Sequence, residues 1–103
     1  MPARADRTWV VYVVRCADDS LYVGHTNDLA ARLLRHNDGT GAAYTRGRRP
    51  VHLAWSHACK TAREARVLEG LMKGLHRKKR LLLIADERLV LEPLMAELHR
   101  RCG

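Results

Sequence analysis

Tyr12, Tyr22, Arg32 and His36 follow one another at intervals of ten, ten and four residues. Phenols and an imidazole can exchange protons, and a guanidinium can grip phosphate oxygens through paired hydrogen bonds. Together they are the groups that a phosphate diester calls for. A fifth candidate, Glu69, is a carboxylate in an otherwise basic stretch. Its ordinary partner on a helix would be Lys73, four residues on, in a pair worth about 0.3 kcal/mol.

The elements that must position these groups follow from pattern. Apolar runs flank the turn Ala17-Asp18-Asp19-Ser20, so Trp9 to Arg15 and Leu21 to Gly24 read as the arms of an antiparallel hairpin with one tyrosine on each. A turn centred between Asp18 and Asp19 pairs residues whose numbers sum to about 37. That places Tyr12 near residue 25 and Tyr22 near Arg15. Gly24 is expected to break the strand, and Thr26, Asn27 and Asp28 to cap a helix from Leu29. On that helix Arg32 and His36 border the apolar stripe of Leu29 and Leu33.

Asn37 to Pro50 reads as a loop in which Tyr44, Thr45, Arg46, Arg48 and Arg49 offer hydroxyl and guanidinium donors suited to a phosphate backbone. Val51, Leu53 and Trp55 alternate with polar or small residues as the buried side of a third strand. Thr61 to Glu64 has capping-box spacing, opening a helix from Ala62 to about His76 whose buried stripe is Ala65, Leu68, Met72 and Leu75. Arg77 to Ile84 predicts a short helix with a basic start and an apolar end. Asp86 to Val90 is expected to be a connection, with Pro93 opening a last helix along Leu91, Leu94, Met95 and Leu98. The fold class is α+β: a small three-stranded antiparallel sheet flanked by helices, with an additional C-terminal helix that covers the domain or offers a dimer surface.

At 103 residues the chain is sized for one domain with a modest core. Its net charge of +8 is carried mainly by arginine. Between Leu29 and Arg80 thirteen basic residues face three acidic ones, a local excess of +10 that favours a polyanionic partner. Cys16, Cys59 and Cys102 lack the spacing of a disulfide framework or a zinc site. His52, His57 and Cys59 lack a second pair of ligands. No apolar targeting core or membrane-length run is present, so a cytoplasmic location is expected. Nor is there an internal repeat, a Walker-type glycine loop or a Gly-x-Ser-x-Gly turn.

The segment resembles the GIY-YIG nuclease family. Val10-Val11-Tyr12 stands at the first motif and Tyr22-Val23-Gly24 at the second, followed by Asn27-Asp28-Leu29 and Arg32-Leu33-Leu34-Arg35-His36. Ala43-Tyr44-Thr45-Arg46-Gly47-Arg48-Arg49-Pro50 is similar to a segment of the small stand-alone bacterial members. The likeness assigns residues 8–84 to a nuclease-like domain and 85–103 to a helical extension packed on it. It implies a metal-dependent endonuclease with little sequence specificity, DNA favoured over RNA, and a monomer or weak dimer. Glu69 falls where the family holds a divalent metal, Mg²⁺ or Mn²⁺. Within this constellation Tyr12 is the expected general base, its phenol made acidic chiefly by Arg32. Arg32 would also hold the scissile phosphate, while Tyr22 and His36 position water and phosphate. Lys73 joins Tyr44, Thr45, Arg46, Arg48 and Arg49 as an expected nucleic-acid contact.

Two departures stand out. Val10 and Val11 replace the Gly-Ile of the first motif, and leucines near Leu81 occupy the place of a late asparagine that helps larger members hold phosphate. The second departure keeps open an alternative, a non-catalytic nucleic-acid-binding protein that retains the nuclease fold.

Overall fold

The computed structural model describes residues 8–102. Its elements are β1 (Trp9–Arg15), β2 (Leu21–Thr26), α1 (Leu29–Asp38), α2 (Ala43–Arg46), β3 (His52–Cys59), α3 (Ala62–Lys73), α4 (Arg77–Ala85) and α5 (Arg88–Cys102). The three strands form an antiparallel sheet in the order β2-β1-β3.

The central place of β1 follows from its composition. Val11 to Val14 are all fully buried, which a strand achieves only when both faces of its sheet are covered. Val11 and Val13 point to one face, where Val23, Trp55 and the helical residues Ala65, Leu68, Met72, Leu83, Leu94 and Leu98 form the main core. Tyr12 and Val14 point to the other, packed with Cys16, Val51, Tyr22, and with Leu29 and Leu33 of α1.

The hairpin register differs from the expected one by a single residue: Tyr12 pairs with Gly24 and Tyr22 with Val14. The cause is a three-residue loop, Ala17 to Asp19, closed by Cys16 N–H donating to Ser20 O at 2.8 Å. Asp19 takes a left-handed φ of 70°, as the last residue of such loops does. Nor does Gly24 end the strand, since β2 runs on to Thr26.

In β3 the expected alternation fails at Leu53, which is 42% exposed. Val13 pairs with Trp55 but Val14 with Leu53, so Ala54 is an extra, bulged residue. The bulge shifts parity, leaving Trp55 in the core and Leu53 outside.

Helix α1 is capped where expected, Asp28 Oδ1 accepting from Ala31 N–H at 3.2 Å. Helix α3 ends three residues early, at Lys73 with Gly74 as its cap, where the Arg80 guanidinium donates to the Met72 and Lys73 carbonyls at 3.2 and 2.8 Å. Those bonds tie α4 to α3 and commit one of the four clustered cations to the fold. Helix α5 begins at Arg88, five residues before Pro93, which lies inside it. Trp55 Nε1 donates to Glu87 at 2.8 Å just ahead of this start, and Val90, Leu94 and Leu98 are buried. The last helix therefore closes the core over α3 and α4.

Candidate active site

Tyr12 reaches the site because Gly24 lies opposite it. A Cβ on Gly24 would stand 2.5 Å from the Tyr12 hydroxyl and 2.7 Å from the ring carbon that bears it. The missing side chain lets the phenol lie across the edge strand β2. Behind it, Tyr12 Oη and His36 Nε2 are 2.8 Å apart, and His36 Nδ1 is 2.8 Å from Thr45 Oγ1. Thr45 Oγ1 in turn donates to the Ala42 carbonyl at 3.0 Å. The Thr45 proton being spent, its oxygen accepts from His36 Nδ1–H. Nε2 is then the bare nitrogen, and Tyr12 O–H donates to it. Gly41 makes room for this arrangement, since a Cβ there would meet His36 Nδ1 at 2.7 Å.

Both rings are fully buried, and burial governs their proton affinities. Burial lowers the His36 pKa, and the positive charge of Arg32 lowers it further, so the ring is neutral near pH 7. Burial likewise pushes the Tyr12 phenol above the ordinary tyrosine value, with Tyr22 and Glu69 adding to the rise. Arg32 opposes the shift without overcoming it. The expectation that Arg32 makes Tyr12 acidic is thus corrected: in the resting protein desolvation is the larger effect.

Tyr12, Tyr22, Arg32 and Glu69 line one cavity of about 310 Å³ with Trp9, Gly24, His25, Thr26 and Asn27. Tyr22 is held by its neighbours, edge-on to His36 at 5.4 Å between centroids and stacked on Tyr44 at 5.9 Å. Arg48 caps the stack 3.9 Å above Tyr44.

Glu69 has two partners here. Its Oε2 receives Lys73 Nζ at 2.7 Å, the ordinary helix pair, and its Oε1 receives His25 Nδ1 at 2.5 Å. Burial raises its pKa, but the hydrogen bonds and charges of Lys73 and His25 outweigh this and hold the carboxyl below its ordinary range. It is an ionised carboxylate on the wall of a polar cavity. Mg²⁺ is bound in many sites by one or two carboxylates, keeping water and substrate phosphate for its other positions. Glu69, an ionised carboxylate on the cavity wall, fits that demand as the residue that would hold the ion, which would displace one of the two hydrogen-bond partners now on its oxygens.

Of the expected nucleic-acid contacts, Tyr44, Arg46, Arg48 and Arg49 lie at the surface, around the one-turn helix α2 where a plain loop was expected. Arg48 also pairs with Asp18 at 3.0 Å. Thr45 does not share that surface. It is fully buried, and its hydroxyl serves His36 rather than a phosphate. Sequence reasoning passed over His25, Trp9 and Gly24 as site residues. Strand parity could have found the first: His25 pairs with Val11, on the face that α3 covers.

The model of the GIY-YIG catalytic domain matches residues 8–81. The chain belongs to the GIY-YIG family. UPF0213 protein YazA of Bacillus subtilis is 51% identical over 77 residues, covering 75% of this chain and 78% of that protein. A UPF0213 protein of Clostridium perfringens is 42% identical over 89 residues, 86% of this chain and 96% of that one. Among solved structures, the solution structure of a UPF0213 protein from Bacillus halodurans superposes with a TM-score of 0.50 at 38% identity, covering 76% of this chain and 83% of that one. The solution structure of a protein from E. faecalis gives 0.57 at 35% identity, covering 82% and 90%. The α+β architecture with its three-stranded antiparallel sheet is thus that of this GIY-YIG branch. Among the described residues no helix is long and apolar enough to cross a membrane.

Proposed function

We propose that the protein is a metal-dependent endonuclease that hydrolyses phosphodiester bonds in nucleic acid, DNA in preference to RNA, with little regard to sequence. The observation that carries this is the convergence of Tyr12, Tyr22, Arg32 and Glu69 on a single polar cavity, with a neutral histidine hydrogen-bonded behind Tyr12.

The Arg32 guanidinium takes two oxygens of the scissile phosphate and stabilises the charge that grows on them. Tyr22, fixed by stacking, donates its hydroxyl to the phosphate or the attacking water. Tyr12 removes the proton of that water and releases its own to His36 Nε2. The transfer is uphill at rest, because burial holds the phenol high. It eases when the charge of Glu69, one of the influences that raise Tyr12, is neutralised. Glu69 would hold one Mg²⁺ or Mn²⁺, whose charge would stabilise the 3′ oxygen as it leaves.

The raised Tyr12 also favours the alternative of a binding protein that no longer cleaves. The two separate on a panel of labelled duplex, single-stranded and branched DNA and RNA, incubated with chelator, Mg²⁺ or Mn²⁺. Cleavage that needs the cation and disappears in Tyr12→Phe, with binding kept, is the expected result. Binding without cleavage of any member of the panel would leave only the binding protein.

A further inference from the structure

We propose that His25 is a second protein ligand of the cation held by Glu69, giving this chain a mixed nitrogen and oxygen site that prefers Mn²⁺ to Mg²⁺. The inference rests on the assignment of Glu69 as the metal-holding residue.

The two oxygens of Glu69 are not equally open to a cation. Oε2 is occupied by the Lys73 ammonium at 2.7 Å, and a cation cannot share that side without meeting a like charge. Oε1 is the oxygen left, and it faces His25 Nδ1 at 2.5 Å. The proton between these two atoms occupies the place that a cation on Oε1 must take. His25 then has two courses, to swing away or to bind through the nitrogen that lost the proton.

The surroundings favour the second course. His25 is held within its strand, paired with Val11 one pair in from the open end of the hairpin, and its ring lies against Trp9 with centroids 5.9 Å apart. Both His25 and Glu69 line the cavity, and their side chains are 29% and 17% exposed. A cation that bonds both atoms at about 2.1 Å on adjacent positions needs them about 3 Å apart, a small opening of the present contact. Among the described residues no group of three His, Cys, Asp or Glu side chains is placed to hold a metal, so water and substrate phosphate complete the set. Mn²⁺ shares the preference of Mg²⁺ for oxygen but, as a transition ion, accepts an imidazole nitrogen more readily than the reluctantly dehydrated Mg²⁺, so a site containing His25 discriminates between ions that an all-oxygen site treats alike.

The test reads binding directly. Mn²⁺ affinity is measured by electron paramagnetic resonance of the free ion, Mg²⁺ affinity by competition, and the His25 ring resonances are followed for paramagnetic broadening. The proteins are wild type, His25→Ala, His25→Gln and Glu69→Gln, each checked for folding by circular dichroism. Wild type should bind Mn²⁺ at least about tenfold more tightly than Mg²⁺, and His25→Ala should lose that preference by weakening Mn²⁺ alone. His25→Gln keeps an N–H donor for Glu69 but lacks the imidazole, so it should behave as His25→Ala does. An unchanged Mn²⁺ to Mg²⁺ ratio in His25→Gln would make His25 a residue that merely positions Glu69, and would overturn the proposal while leaving Glu69 in place. Unchanged binding of both ions in Glu69→Gln would remove the metal assignment itself, and the His25 ligand with it.

Discussion

The phenol, imidazole and hydroxyl of Tyr12, His36 and Thr45 form a chain in which each proton has one place to go. Its orientation is fixed at the far end, by the bond from Thr45 to the Ala42 carbonyl. Thr45→Val keeps the volume but removes the acceptor of His36 Nδ1–H. It should cost about 1–3 kcal/mol, since a buried donor is left without a partner. Because the ring can then turn over its tautomers, cleavage should fall while affinity for nucleic acid holds. Denaturant unfolding and single-turnover cleavage measure the two effects separately, and wild-type values in both would deny Thr45 any orienting role. The same chain predicts a pH dependence. The folded pKa of His36 is lowered, so as pH falls the unfolded chain takes up its proton first. This contribution to stability is complete above the ordinary histidine value of about 6.5 and declines as pH drops below it toward the folded value. Cleavage should keep its acidic limb below about pH 6.5 for the same reason, since only neutral His36 can accept from Tyr12. A limb above that value would place the titrating group elsewhere.

Elements bring these side chains together through close approaches that spacing alone does not reveal. Gly24 is the clearest case. In the sequence it looks like a strand breaker, yet it continues β2 and is needed because the Tyr12 ring occupies the space of its Cβ. Gly24→Ala should push that buried ring aside, costing about 1–3 kcal/mol, the usual range for overpacking, and lowering Tm by about 4–8 °C per kcal/mol in a domain of this size. Cleavage should fall further than stability accounts for, because the Tyr12 hydroxyl itself moves. Calorimetry beside a cleavage assay on the folded fraction checks this, and full activity per folded molecule would mean that the ring has room to spare. The hairpin, the capped helices around Asp28 and Thr61 and the basic start of α4 were legible in the sequence because each depends on local pattern. What escaped depends on tertiary contact. The bulge at Ala54 exposes Leu53, Arg80 binds the early end of α3, and Val90 with the Glu87 to Trp55 bond starts α5 ahead of Pro93. Tyr12, Tyr22 and Arg32 could be placed near one another from the hairpin and helix pattern, whereas Glu69 joined them only through the family resemblance. The burial that raises the phenol could not, since it arises only once α1 and the sheet enclose the ring.

At the scale of the whole molecule the governing quantity is charge, and the structure divides the arginines by what they are already doing. Arg80 is spent on the end of α3, and Arg77 pairs with Asp19 at 3.1 Å. Around α2, Arg48 is matched by Asp18, whereas Arg46 and Arg49 give their Nε–H groups to the carbonyls of Gly39 and Arg46, which orients the guanidinium without neutralising it. These last two therefore keep their charge without a paired carboxylate beside α2, Asp38 lying only within weaker electrostatic reach of Arg49. If nucleic acid crosses this surface, Arg46→Ala and Arg49→Ala should each weaken binding more than Arg48→Ala does, because the Arg48 charge is already offset by the Asp18 carboxylate beside it. Breaking that exposed pair should itself cost little stability. Each phosphate no longer engaged should flatten the plot of log affinity against log salt by about 0.9 for duplex DNA, so the combined Arg46, Arg49→Ala protein should have a slope shallower by about 2. The weakening should be the same for unrelated sequences, since phosphate contacts position the duplex without reading it. Fluorescence anisotropy over a salt series on two unrelated duplexes provides the comparison. A slope unchanged by the double substitution would move the binding track away from α2, and weakening confined to one duplex would show base recognition where only backbone contact is expected.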